Sequence, residues 1–554
     1  MTNITSIKGN IIKFDKKTKN QDIEEILNAR FVGEEFLPNT LDSLHDPYLF
    51  NDMKKAVERI QLAKKQDERV FIFGDYDVDW VTSTSILMHF FTKFWIKVSY
   101  RIPHRVKDGY GLKKYFVDEA VEKGVSLIVT VDCWTRDVEV IKYAKKLWVD
   151  IIITDHHAVP EEIPEEAVAI INPKRLDCKY PYKNLAWAWV AFKLMQALAK
   201  EFFKTNEEYE EYLINSIDIC AIWTVADCMV LTWENRVIVE LWLKQIKNSR
   251  SRWIRTLIEN DLDTDLDADV FGFVIWPRIN AAGRMDCPLL AVNLILNNSD
   301  GVENTLAEIE SLNEKRKFLT KEFTIESETK INKTDNLIFY ISKDIPHWIM
   351  GIVAGRITEK YHRPCIALKD EWEKLVASCR APEYFSMINI LEKRKDMFLA
   401  FGGHKQAAGF SILKEKFSEF KTSILTEVNK QDFSKYKKEI EITKIVKLEE
   451  LWFGFLRKIN KFKPFWMGNL KPVFMVEDLE DYKLEFLWTK SRDHLRFSTK
   501  HWFKMFCFFM WDFYEEIKRG TREWKKLDII FDISEDNWMG KKNLMLKVID
   551  VILS

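Results

Sequence analysis

Glycine is scarce in this 554-residue chain: there are 18, where average usage of about 7% would give roughly 39. Tryptophan is abundant in return, with 20 residues, so the glycine deficit is about the size of the tryptophan total. No apolar run approaches the ~20 residues a membrane-spanning helix requires. The opening MTNITSIKGNIIKFDKK has neither the apolar core nor the small-residue cleavage site of a secretory signal, so a cytoplasmic location is expected. The eight cysteines include no CxxC pair and no zinc-like spacing, and they read as reduced thiols. Charge of one sign is also missing, with a formal net charge of −1. Any phosphate-binding surface must therefore come from local clusters, and a cytosolic enzyme of small molecules is not excluded at this stage.

A chain this long exceeds what one hydrophobic core supports, so several domains are expected. From residue 70 short apolar runs, VFIFG, IKVSYRI, LIVTV, DIIIT and AIIN, alternate with helical patterns, as in a parallel α/β sheet. Residues 185–260 are mostly helical, and 289–333 carry a charged helical pattern suited to a connector. A second α/β pattern begins at NLIFYIS, and the last stretch is rich in β-like runs such as PVFMVEDL and LDIIFDI. The expected fold is thus α/β multidomain: an N-terminal segment (1–45), a parallel-sheet domain (46–270), a helical connector (271–333), a second α/β domain (334–430) and a C-terminal OB-like β-barrel (431–554).

In open parallel sheets ligands bind beyond the carboxyl ends of the strands. The residues just past the apolar runs are Asp75, Asp77 and Asp79 after VFIFG, Asp132 after LIVTV, Asp155-His156-His157 after DIIIT, and Asp227 after ICAIWTVA. An extended i, i+2, i+4 spacing turns Asp75, Asp77 and Asp79 to one side. Any one of these aspartates alone is better explained as a helix cap or turn residue. Four segments delivering acids and imidazoles to one rim would repel without cations, and oxygen with imidazole but no thiolate suits Mn²⁺ or Mg²⁺. In the second half, RINAAGR (278–284), GIVAGR (351–356), SCR (378–380) and GGHKQAAG (402–409) set isolated Arg, Ser and His among small residues, where a phosphodiester can approach guanidinium forks. The bland alternative is a turn-rich domain with exposed arginines, and for Arg356, in a helical pattern, the two stand level.

DYDVD, VDC, DHH and TVAD, in this order, resemble the metal-binding motifs of DHH phosphoesterases, and with GYGL they resemble the RecJ branch. GGHKQAAG and RINAAGR resemble the DHH-associated domain, and PF with MGN near 464–469 resembles the appended oligonucleotide-binding barrel. The resemblance covers about residues 45–550. It implies two metal ions held by Asp77, Asp79, Asp132, His156 and Asp227, with Asp75 and His157 beside them and Asp155 orienting an imidazole. It implies a clamp on the scissile region by Arg278, Asn280 and His404, and contact with a terminal 5′ phosphate by Ser378, Arg380 and Arg105, with Arg284 and Arg356 also on the substrate. The implied activity is 5′-to-3′ exonuclease action on single-stranded DNA, in repair and recombination, releasing nucleoside monophosphates. A helicase and a single-strand-binding protein are the implied partners. The Lys-rich aromatic run RKINKFKPF (457–465) is expected to track the strand.

One departure recurs. Trp80, Trp134, Trp187, Trp189, Trp223, Trp276, Trp348 and Trp466 stand where the family has glycine, several at turns or close approaches. Either these codons are glycines decoded under a reassigned code, or the chain is a decayed paralogue; the intact ligands favour the first, although Trp538 has the look of a genuine tryptophan. Two other functions remain in view. One is a DHH phosphodiesterase of short oligonucleotides or cyclic dinucleotides, which the extra C-terminal domain disfavours. The other is a non-catalytic scaffold in a replication or repair complex, favoured only if the tryptophans are real.

Overall fold

The computed structural model describes residues 2–31, 40–74, 78–101, 103, 111–131, 138–157, 159, 163–185, 187–259, 266–285, 288–296, 301–433, 435–480, 482–487, 494–499, 503–508, 510–523, 526–538 and 541–553. Strands β1 (Thr2–Thr5) and β2 (Ile11–Phe14) pair antiparallel at the start of the chain. The first large sheet comprises β3 (Arg69–Gly74), β4 (Lys97–Arg101), β5 (Val125–Val131), β6 (Asp150–Thr154) and β7 (Ala169–Ile171) in the order β4-β3-β5-β6-β7, each neighbouring pair parallel. The unbroken apolar runs RVFIFG, VSLIVTV and DIIIT occupy the inner positions, and the alternating KVSYR takes an edge. Period-two geometry splits β3 between two cores: Val70 and Ile72 enter one, Phe71 and Phe73 the other.

Helices Trp187–Phe202, Asn206–Ala226, Trp233–Gln245 and Arg252–Ile258 follow, as the periodicity of 185–260 predicts. A buried polar knot ties them to the chain's earlier turns. Lys193 Nζ donates to Glu234 Oε1 at 2.8 Å, to Gln196 Oε1 at 3.0 Å and to the His45 carbonyl at 2.8 Å, while the Tyr180 hydroxyl donates to the same Glu234 carboxylate. A π-helical turn, Val270–Ile275, then leads into helix Trp276–Arg284, and after Pro288–Leu296 comes the 29-residue connector helix Val302–Lys330.

The second α/β unit is a sheet ordered β11-β12-β10-β9-β8, made of β8 (Ile338–Ser342), β9 (Cys365–Asp370), β10 (Lys374–Arg380), β11 (Phe398–Gly403) and β12 (Ala407–Leu413); β8 and β9 are parallel and the other pairs antiparallel. Helix His347–Tyr361 connects β8 to β9. In the C-terminal body β13 (Glu439–Glu441) runs parallel to β2, so the first strands of the chain complete a sheet there. The remaining strands, β14 (Lys444–Ile445), β15 (Phe474–Val476), β16 (Tyr482–Phe486), β17 (Leu495–Thr499), β18 (Lys504–Cys507), β19 (Leu527–Trp538) and β20 (Lys541–Leu553), form one sheet ordered β14-β15-β19-β20-β18-β17-β16. Phe474, Phe497, Met505, Phe531 and Val548 share its core. No described helix is long and apolar enough to cross a membrane.

Candidate active site

Parallel register fixes where the candidate ligands leave the sheet. Gly74 lies opposite Val131, and Val131 opposite Thr154, so three adjacent strands end level with one another. At neighbouring-strand spacing of about 4.8 Å, the segments that follow them start side by side. Asp75, Asp77, Asp132 and Arg105 fall outside the described residues, as does the side chain of Asp79 at the start of helix Val78–Lys93. Asp155, His156 and His157, after the third strand, are described.

Asp155 is buried and organises that turn. Its Oδ1 accepts from the His156 amide at 2.8 Å, the His157 amide at 3.1 Å and His157 Nδ1 at 2.8 Å. His156 Nδ1 lies 2.9 Å from the Leu185 carbonyl. A carbonyl can only accept, so the proton sits on Nδ1 and the lone pair on Nε2. Burial pushes the His156 imidazole down to about 3, which keeps it neutral, the form in which imidazole ligates metal. A ligating histidine whose other nitrogen is held by a carbonyl or carboxylate is the usual second-layer arrangement around a metal, and both His156 and His157 have it. Asp227, half-buried, caps the carboxyl end of helix Asn206–Ala226 with its amide donating to the Trp223 carbonyl at 3.0 Å. The donor set fits a hard divalent ion. Among the described residues alone, no group of three His, Cys, Asp or Glu completes such a site.

The phosphate-facing residues divide into two groups. Ser378 and Arg380 lie on β10, where Ser378 pairs with Gly409 and Arg380 with Ala407. Arg380 Nη1 donates to the Cys379 carbonyl at 2.8 Å and approaches Ser378 Oγ at 3.4 Å. Helix His347–Tyr361 packs over them at Gly351, where a Cβ would come within 2.6 Å of Arg380 Nη2. Arg278, Asn280 and Arg284 lie on helix Trp276–Arg284. Arg284 Nε donates to Asn280 Oδ1 at 3.0 Å and its Nη1 to the Trp348 carbonyl at 3.1 Å, joining this helix to the second α/β unit. Gly403 holds φ +141°, and a Cβ there would strike Ala408 Cα at 2.4 Å, so this glycine allows the turn that presents the exposed His404. Arg356 is exposed on helix His347–Tyr361, and no described contact joins it or His404 to the other site residues.

Two residues of the connector helix escaped the sequence reading. Glu310, on the connector helix, takes Arg278 Nε at 2.5 Å, while Arg278 Nη1 donates to the Val274 carbonyl at 2.7 Å. Arg316, on the same helix, donates to Asn313 Oδ1 at 2.9 Å. The signal was present in the i, i+3, i+6 recurrence of Glu310, Asn313 and Arg316. One expectation is corrected. The run 457–465 is not an open strand-tracking surface: Phe462 and Phe465 are buried, Lys458 Nζ is paired with Asp22 at 2.6 Å and Lys461 Nζ with Glu24 at 2.5 Å. Its aromatics serve the core of the C-terminal body and two of its lysines face acids from the start of the chain, so base stacking there is not available.

Three family models match the chain: DHH family, N-terminal domain, over residues 69–222; DHHA1 domain over 334–430; and RecJ OB domain over 442–550. The single-stranded-DNA-specific exonuclease RecJ of Bacillus subtilis is 31% identical over 539 residues, which is 94% of this chain and 66% of that protein. The protein of the same name from Haemophilus influenzae is 31% identical over 72% of this chain and 73% of its own length. Among solved structures, RecJ of Thermus thermophilus in complex with Mn²⁺ superposes with a TM-score of 0.80 at 22% identity, covering 98% of this chain and 80% of that one.

Proposed function

Because the chain belongs to the RecJ family of DHH phosphoesterases, we propose that it hydrolyses single-stranded DNA from the 5′ end, releasing nucleoside monophosphates. The observation that carries this reading is the DHH turn: three strands ending level, with His156 and His157 each held through Nδ1 so that Nε2 carries the lone pair. Asp77, Asp79, Asp132, His156 and Asp227 would hold two divalent ions, Mn²⁺ or Mg²⁺. When bound, these ions supply an activated water and neutralise charge on the phosphoryl oxygens.

The chain's own residues do the rest. Asp155 and the Leu185 carbonyl hold the two imidazoles in one orientation. Arg278, Asn280 and His404 orient the scissile phosphodiester, with Asp75 and His157 beside the reacting oxygen. Ser378 and Arg380, with Arg105, take a terminal 5′ phosphate; a pocket satisfied only by a chain end makes the enzyme an exonuclease and sets its direction. Arg284 and Arg356 add substrate contacts. The division at 46–270, 271–333, 334–430 and 431–554 assigns these tasks to the metal domain, connector, phosphate grip and OB-like body. Action on single strands leaves duplex opening to a helicase and strand protection to a single-strand-binding protein, the partners this chemistry calls for, in a reducing cytoplasm that keeps the cysteines free.

The test is digestion of 5′-phosphorylated single-stranded DNA, labelled at either end, with Mn²⁺, alongside an Asp132→Ala control. Loss of the 5′ label first, absent in the control, is expected. Folded protein that leaves DNA intact but cleaves dinucleotides would point to the smaller-substrate phosphodiesterase, and inactivity on both would point to a scaffold.

A further inference from the structure

The backbone itself contests the identity of several tryptophans. Seven described residues other than glycine have positive φ, and three of them are Trp95 (+59°), Trp148 (+60°) and Trp233 (+48°). Tryptophan makes up only 20 of 554 residues, so its share of these positions is far above its share of the chain. The left-handed region brings Cβ against the following carbonyl, and glycine is the residue that enters it freely.

Trp95 and Trp148 occupy one structural role. After helix Val78–Lys93 the Trp95 amide donates to the Thr92 carbonyl at 3.1 Å and the Ile96 amide to the Phe91 carbonyl at 2.9 Å. After helix Val138–Lys146 the Trp148 amide donates to the Lys145 carbonyl at 3.2 Å and the Val149 amide to the Ala144 carbonyl at 3.0 Å. Both are Schellman turns with the left-handed residue just past the helix, the position where glycine is strongly enriched. The turn between them in the chain, which feeds β5, has Gly124 at φ +67°. The turn from helix Met53–Lys65 into β3 has the same bonds, the Asp67 amide to the Lys64 carbonyl at 3.2 Å and the Glu68 amide to the Ala63 carbonyl at 2.9 Å, with Asp67 at φ +56°. The left-handed position in the four helix-to-strand turns of this sheet is thus held by Asp67, Trp95, Gly124 and Trp148; glycine and, less often, a short Asp visit that region, whereas tryptophan has no means of relieving it. Packing does not compensate for the strain, since Trp95 and Trp148 are 90% and 89% exposed. Elsewhere the indole N–H groups of Trp223, Trp242 and Trp466 are buried without a hydrogen-bond partner, a state natural cores avoid.

We infer that the natural protein carries glycine at positions 95, 148 and 233, its host decoding as glycine a codon written here as tryptophan. The same decoding restores glycine at 80 and 134, close in sequence to Asp79 and Asp132, and at 223 and 276, where two rings in contact at 4.5 Å now separate the helix capped by Asp227 from the one carrying Arg278. Helix separation follows the size of the side chains at the crossing, so glycine there draws these helices together.

Peptide mass spectra of the protein isolated from its natural host should give glycine at 95 and 148; tryptophan in those peptides overturns the inference. In recombinant protein, Trp95→Gly and Trp148→Gly should each raise the folding equilibrium constant by roughly five- to thirty-fold. An unchanged or lowered unfolding midpoint in both would remove the conformational argument.

Discussion

At the scale of single residues, the candidate metal rim depends on side chains held by groups that carry no motif of their own. Asp155 accepts two backbone amides and the His157 ring, so Asp155→Asn can keep one acceptor but cannot stabilise His157 as its carboxylate does. Loss of such a partner around a metal is expected to reduce Mn²⁺ affinity or turnover about 10- to 100-fold, measured by titrating Mn²⁺ against initial rate. The turn Asp155-His156-His157 was legible in the sequence because its chemistry and its place after an apolar run coincide, while Asp75, Asp77 and Asp132 lie outside the described residues. The Leu185 carbonyl that fixes the His156 tautomer was not, because any residue has a carbonyl and only the fold brings this one across 29 positions.

Glu234 gives a residue-scale prediction for stability. Burial raises its pKa, but the Lys193 charge and hydrogen bonds from His45, Lys193 and Tyr180 outweigh burial and bring it down to about 2. Its folded pKa lies below the usual 4.5, so its stabilisation is complete above that value and is lost as pH falls toward 2. Glu234→Gln should flatten the acid unfolding profile across that window. Lys193→Met, which leaves the buried carboxylate without its charge partner, should destabilise by about 3–5 kcal/mol in chemical denaturation.

Elements show where sequence patterns suffice and where they mislead. The unbroken apolar runs gave the inner strands of the parallel sheet and the alternating run its edge, since burial on both faces leaves that imprint. The run RKINKFKPF looked like a nucleic-acid surface by composition. Its acidic partners, Asp22 and Glu24, lie more than 400 positions away, and no local pattern announces them. The β11–β12 hairpin supplies a test at this scale. Gly403→Ala would force Cβ into Ala408, so the hairpin should shift, with a stability loss of about 1–3 kcal/mol and a fall in turnover from displacement of His404.

Across the whole molecule, the segment following Phe462 docks the C-terminal body on the metal-binding half. Arg236 Nη2 donates to the Phe462 and Lys463 carbonyls at 3.1 and 2.8 Å, the Leu231 amide to the Met467 carbonyl at 2.8 Å, and the Phe465 amide to Asp267 Oδ1 at 2.9 Å. These bonds fix the distance between the rim and any strand held by the barrel. Arg236→Ala should therefore weaken binding of long single strands, read by anisotropy, while leaving turnover of short oligonucleotides little changed. The central claim, that the chain end is gripped on one lobe and cut on the other, is tested most directly by comparing a linear 5′-phosphorylated single strand with the same sequence closed into a circle, in Mn²⁺. The linear strand should be degraded from its 5′ end and the circle should persist; cleavage of both at similar rates would contradict the account.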